Sequence, residues 1–235
     1  FDSRLRDITI RHLLEHRSGW DRDQSFDAMF QSVRFAKETE TPAPASQAAV
    51  IKAMLSQKLD FDPGERYAYS NFGYCLLGRV IEKLTGQTYE AYVKEKVLAP
   101  IGITAMRIGA SRLEGRSANE VRYYQPGSAK SVFQNDLDQE VPWQYGGWNL
   151  EAMDSHGAWI ASATDIATFA AAFDDADHCP LLNKATIDLM FQRPPGFAGY
   201  DKDGNEKPTF YSLGWQNRPV EGGKVNHWHT GSLSG

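Results

Sequence analysis

Between residues 71 and 86 the apolar residues Phe72, Leu76, Leu77, Val80, Ile81 and Leu84 recur at helical spacing. That period predicts an amphipathic helix of about four turns with one face buried. Gly86 stands where a left-handed cap closes such a helix, and Asp62-Pro63-Gly64 is a turn signal ahead of it. Shorter helices are predicted around it. Thr9 caps one with Ile10, Leu13 and Leu14 on one face and Gly19 beyond its end. Ser46 caps another whose apolar face is Val50, Ile51, Met54 and Leu55. A third runs from about residue 88 to 98 and stops before Pro100. Ser162 and Asp165 are spaced as a variant capping box for a helix through Phe173, and Asn183 caps a further helix that ends before Pro194-Pro195.

Residues 21–45 are polar, carry Pro42 and Pro44, and read as a loop holding one helical turn. Residues 107–150, rich in glycine and aromatics, predict short strands and long loops. Residues 210–216 and 224–230 read as two short strands with Gly222-Gly223 between them. Helices thus dominate the middle, and strand signals gather near the C-terminal end.

The chain has 235 residues, enough for one large domain or two small ones. With 41% hydrophobic and 23% charged residues it is composed like a soluble globular protein with a real core. The net charge of -5, with no basic run, excludes an electrostatic footprint for nucleic acid or anionic lipid. No apolar run approaches the roughly 20 residues of a membrane span. Cys75 and Cys179 permit one disulfide, but a chain this long needs no staple, so free thiols are expected.

Two short segments carry candidate chemistry. Tyr69-Ser70-Asn71 lies between the Pro-Gly turn and the start of the long helix. A tyrosine serves as general base only if its pKa of about 10 is brought down, and a helix N-terminus favours the anion. Tyrosine ahead of a helix cap is common, so these residues alone assign no chemistry. His229-Thr230-Gly231-Ser232 would let a ligand lie close against a strand, with an amide past the glycine as an oxyanion donor. His227 and His229 on one strand side, or His12 and His16 at helical i, i+4 spacing, could bind a metal. Neither pair has an evident third ligand, and no metal site is expected.

Four stretches, in one order, carry a resemblance to the serine β-lactamase, penicillin-binding-protein and family VIII esterase superfamily. They are ITIRHLLEHRSGW (8–20), the segment 60–103 around YAYSNFGYCLLGRVIEKLTG, SHGAWIASATDIATFAAAF (155–173), and YSLGWQ with HWHTGSLSG (211–235). The resemblance implies an α+β fold of the β-lactamase/transpeptidase type. Residues 1–209 would form mainly the helical domain with active-site loops, and 210–235 partial strands of the sheet domain. It implies an acyl-serine hydrolase of esters, amides or β-lactams, with no metal and no cofactor.

The family works through Ser-x-x-Lys, Tyr-x-Asn or Ser-x-Asn, and Lys-Thr-Gly or a variant. By resemblance Tyr69 is the general base or proton relay, and Asn71 binds substrate and the lysine of the first element. Thr230 and Gly231 border the acyl site, and Ser232 supplies one oxyanion amide. No serine or threonine here is followed by lysine three residues later. The nucleophile is therefore expected upstream of Phe1, the rest of the sheet beyond Gly235, and this chain alone is expected to be inactive. The competing reading is a non-catalytic binding protein that keeps the groove. A third is a metal hydrolase built on the histidines. His229 replaces the common lysine, and histidine with a pKa near 6.5 is mostly neutral at pH 7, which shifts the expectation toward esters or uncharged amides. Relatives of this kind are frequently exported in bacteria, which implies a periplasmic or secreted location.

Overall fold

The computed structural model describes residues 1–233; the last two residues of the predicted 210–235 segment lie outside the described residues. The helices are α1 (Ile10–Leu14), α2 (Ser32–Thr39), α3 (Gln47–Met54), α4 (Asn71–Thr85), α5 (Tyr89–Val93), α6 (Ala163–Ala171) and α7 (Lys184–Met190). The strands are β1 (Arg107–Ile108), β2 (Ala129–Lys130), β3 (Glu140–Val141), β4 (Trp159–Ile160), β5 (Phe210–Tyr211), β6 (Gln216–Pro219) and β7 (Val225–Trp228). They form three antiparallel sets, β1 with β4, β2 with β3, and β5-β6-β7. The fold is mixed α/β, with small antiparallel sheets among the helices.

The core joins α1 to α4. Leu13, Trp20, Phe35, Ala36, Val50, Met54, Phe72 and Cys75 pack in one cluster, and Trp20 sets its ring edge-on to Phe72 at 4.7 Å. Phe35 has no exposed surface, a burial that contributes about 1.5–3 kcal/mol. Cys75 lies inside this cluster, and neither it nor Cys179 is in a disulfide.

Two helical expectations need correction. Residues 21–45 contain more than one turn: a 3-10 turn at Ala28–Phe30 leads into α2, which buries Ser32, Phe35 and Ala36. No side chain caps α2, and its apolar stripe is short among charged residues, so tertiary packing supplies what local signals lack. The helix expected to stop before Pro100 instead passes through a π-helical stretch, Lys94–Leu98, into a 3-10 turn, Ala99–Ile101. Pro100 sits in the first turn of that last segment, where its missing N–H costs nothing.

The buried stripe of α4 is also narrower than its apolar pattern. Phe72, Cys75 and Gly78 are buried, whereas Leu84 is 80% exposed. Gly78 matters because a Cβ there would lie 2.4 Å from the Ser155 hydroxyl oxygen. Ser155 Oγ donates to the Tyr74 carbonyl at 2.8 Å, and Arg79 pairs with Asp154 at 2.6 Å. One face of α4 thereby seats the 154–156 turn.

The predicted strand at 210–216 is two strands, so the C-terminal sheet has three rather than two. Ser212 to Trp215 turn the chain, with Gly214 at φ +91° and the Ser212 N–H donating to the Trp215 carbonyl at 2.8 Å. Asn217, fully buried on β6, donates through Nδ2 to Ser212 Oγ (2.8 Å) and the Trp215 carbonyl (2.9 Å). Its Oδ1 is left to accept from His227 Nδ1 at 2.6 Å on β7. That amide locks the turn to the strand that leads into His229.

Candidate active site

Tyr69 and Asn71 flank the cap of α4. Ser70 Oγ accepts the Gly73 N–H at 3.2 Å, so Ser70 serves the helix rather than the cleft. The extended segment carrying Tyr69 is held from below by His16. Its backbone carbonyl accepts the Ala68 N–H at 2.9 Å, and its Nδ1 accepts the Ser70 N–H at 3.1 Å. Because Nδ1 accepts, the ring proton of neutral His16 sits on Nε2. His16 adopts φ +54° beyond the end of α1, so it does not share a helix face with His12, and the i, i+4 metal pair is corrected. His12 instead closes the capping box of α1 with Thr9.

The His16 ring is packed among Tyr69 (4.3 Å between centroids), Tyr211 (4.6 Å) and Tyr74 (4.9 Å). Burial, together with the charges of His229 and Arg22, lowers its pKa to about 3. Tyr211 then reaches the second segment, its hydroxyl lying 3.0 Å from His229 Nε2. His227 and His229 thus each have their own protein partner. Among the described residues no group of three or more His, Cys, Asp or Glu side chains is placed to hold a metal.

Asn71 Nδ2 donates to Asp27 Oδ2 at 2.7 Å, and the Arg22 guanidinium lies 4.8 Å above the Tyr69 ring. Desolvation raises the Tyr69 pKa, and Arg22 opposes it in part. With these neighbours alone Tyr69 is a phenol at neutral pH, and a further cation beside it is what would make it a base. Arg22 and Asp27 are neighbours of the candidate site that sequence reasoning missed, and His16 entered there only as a possible metal ligand. Arg22 and Asp27 fall in the segment read as loop, and no spacing rule links them to Asn71.

Tyr69, Asn71, His229, Thr230, Gly231 and Ser232 all line one cleft of about 900 Å³. Its far wall is Leu150, Met153, His156, Gly157 and Ala158, the turn seated on α4. His156 has no protein partner for either ring nitrogen, and burial lowers its pKa to about 4.

Two histidines held neutral give a pH dependence with a definite sign. Below about pH 6.5 the unfolded chain takes up protons that folded His16 and His156 refuse, so stability falls as pH drops toward 4. Each contributes about 1.4 kcal/mol per pH unit. Urea unfolding at pH 7.5 and 5.0 should differ by up to about 4 kcal/mol, and His16→Phe should remove about half of that. An unchanged midpoint across this range would show that neither histidine is held neutral.

A sequence profile described as Beta-lactamase matches residues 2–235, and the chain belongs to that family. It is 27% identical over 228 residues to Penicillin-binding protein 4* of Bacillus subtilis (strain 168), covering 94% of this chain and 46% of that protein. A putative D-alanyl-D-alanine carboxypeptidase of Escherichia coli (strain K12) is 23% identical over 172 residues, covering 68% of this chain and 37% of the relative. The chain thus spans about half or less of the curated relatives it matches. Among solved structures, a D-stereospecific amidohydrolase from Streptomyces sp. superposes with a TM-score of 0.67 at 23% identity, over 98% of this chain and 62% of that one. A penicillin-binding protein from Bacillus halodurans gives 0.64 at 20%, over 93% and 60%. These two likenesses establish the fold.

Proposed function

We propose that this chain forms the base-and-oxyanion part of a serine hydrolase that cleaves esters or uncharged amides through an acyl-serine. The observation that carries the reading is the convergence of Tyr69 and Asn71 with residues 229–232 on one cleft. A Ser-x-x-Lys pair from sequence preceding Phe1 would complete it, consistent with the fraction of each relative that this chain spans. The lysine charge would bring the Tyr69 pKa down. Tyr69 Oη then takes the serine proton, the serine oxygen bonds to the substrate carbonyl carbon, and the oxyanion accepts from the Ser232 amide and the nucleophile's own amide. Collapse of this intermediate breaks the bond to the leaving group, which receives the proton from Tyr69. Water attack on the acyl-serine repeats the sequence and frees the enzyme. Asn71, fixed by Asp27, would orient the substrate and the lysine.

His229 offers no permanent charge to a substrate carboxylate, so short-chain aryl esters should exceed penicillins in kcat/KM by at least about tenfold at pH 7.5. The rest of the same polypeptide would complete the sheet and cover α6, which buries none of its residues and leaves Ile166 58% exposed. The test uses the full-length protein and p-nitrophenyl acetate, with the acyl adduct mapped by mass spectrometry. The adduct should fall on a serine preceding Phe1, and the 235-residue segment alone should turn over neither ester nor penicillin. Absence of any adduct on the active protein, or an adduct on a serine inside the segment, would overturn the mechanism. A large preference for penicillin would overturn the substrate assignment.

A further inference from the structure

A second space adjoins the cleft on the side of β5 and β6. It has a volume of about 320 Å³ and shares Tyr67 and Gln216 with the cleft. Lys207, Thr209, Phe210 and Tyr211 form most of the rest of its wall. Tyr211 is paired with Gln216 across β5 and β6, so this wall continues the sheet that leads to His229. Arg193 fixes the hairpin that presents Lys207. Its Nη1 donates to the carbonyls of Gly199 (3.0 Å) and Lys207 (2.8 Å), and the Lys207 N–H donates to the Gly199 carbonyl at 3.0 Å. The guanidinium lies 4.1 Å from the centre of the Phe210 ring, which seats the hairpin on β5.

The polar groups of this wall are left open to a ligand. Glu206, the carboxylate next to Lys207 in sequence, is engaged by Arg193 Nη2 at 3.1 Å. Lys207 itself forms no ion pair among the described residues. Its Nζ donates to the Phe197 carbonyl at 2.5 Å, and an ammonium has three protons to give. The Tyr67 hydroxyl and the Gln216 amide make no hydrogen bond among the described residues, and both side chains are half-buried without being sealed from water. Burial pushes the Tyr67 pKa up to about 12, so this phenol keeps its proton at neutral pH and remains a donor. A phenol and an amide therefore lead from the cleft to a half-buried cation that lacks an anion.

On the hydrolase reading above, we propose that this space is a leaving-group subsite, and that Lys207 holds a carboxylate at the far end of the leaving alcohol or phenol of an ester substrate. In that mechanism Tyr69 returns the proton to the leaving oxygen, so the leaving half begins beside Tyr69. Tyr67, two residues before Tyr69, lines the cleft with it and is the side chain through which the cleft meets the second space. A carboxylate close to the scissile bond would instead face residue 229, where no permanent charge is offered. The charge read by Lys207 lies several bonds away, past Tyr67 and Gln216.

The test compares 3-(4-acetoxyphenyl)propionate with its uncharged counterpart, 3-(4-acetoxyphenyl)propanamide, on the full-length protein at pH 7.5. Both esters release closely similar phenols and differ in the distal charge. The carboxylate should be cleaved with a kcat/KM at least about fivefold higher at low ionic strength, and the margin should shrink in about 0.5 M salt. Lys207→Met and Lys207→Gln should each bring the ratio to within about twofold of unity while turnover of the propanamide stays unchanged, and Lys207→Arg should keep the preference. A ratio near unity in the unaltered protein, or a preference that survives both neutral variants, would overturn the subsite. If neither ester is hydrolysed, binding of 3-(4-hydroxyphenyl)propionate is read by calorimetry. Binding lost in Lys207→Gln and kept in Lys207→Arg would retain the subsite and discard the hydrolase, and absence of binding would discard the subsite.

Discussion

Replacing Tyr69 by phenylalanine in the full-length protein should lower the acylation rate by roughly two to four orders of magnitude, the usual share of a general base. The ring has contacts that do not involve its hydroxyl: the packing on His16 at 4.3 Å and the Arg22 guanidinium at 4.8 Å. Phenylalanine retains the packing, so the loss should fall on kcat with little change in stability. Stopped-flow release of p-nitrophenol measures the acylation step directly. Turnover within a few-fold of normal would remove Tyr69 from the chemistry and leave it as one face of an aromatic floor.

The largest effect on stability should come from Glu15→Gln, a loss of about 3–5 kcal/mol in urea unfolding. Glu15 has no exposed surface, and its two oxygens hold Arg11 and Arg17, each at 2.8 Å. Arg17 is itself buried and also donates to the Gly64 carbonyl. The pair therefore fastens the end of α1 to the turn that launches the Tyr69 segment. Neutralising the carboxylate leaves a cation in the interior with a weaker partner. Glu15→Leu combined with Arg17→Met should recover much of the loss, because the only charge then left without its partner is that of Arg11, whose side chain is about half exposed. A single-variant cost below about 1 kcal/mol would mean that water reaches Arg17.

Where local chemistry decides, the sequence is easy to read. Thr9, Ser46, Ser162 and Asn183 each accept the backbone N–H three residues on, as capping requires. The start and left-handed end of α4 follow from Ser70, Asn71 and Gly86. Tyr69, Asn71 and residues 229–232 could be named in advance because each sits in a short motif, and the structure brings them together. Their roles are proposals that the experiments above address. What escaped is what depends on distant contact. α2 has no side-chain cap and is held by Phe35 packing among α3 and α4 residues. Arg22 and Asp27 act through space on Tyr69 and Asn71, and the left-handed turn at His16 has no glycine to announce it. The split of 210–216 into two strands rests on Gly214 and on the buried Asn217 amide, neither of which alters the alternation a strand is read from.

Every member of the core cluster except Ala152 lies between residues 13 and 75, whereas β7 is exposed along Val225, Asn226 and His227. The two lips of the cleft therefore belong to cooperative units of unequal depth. In this 235-residue segment the amides that anchor Tyr69 and Asn71 should exchange with solvent hydrogen only when the core itself opens, and those of residues 225–231 by local opening, an order that hydrogen exchange measures. Within residues 1–233, then, the lip that carries Tyr69 and Asn71 rests on the core, and the lip that carries His229 stands outside it.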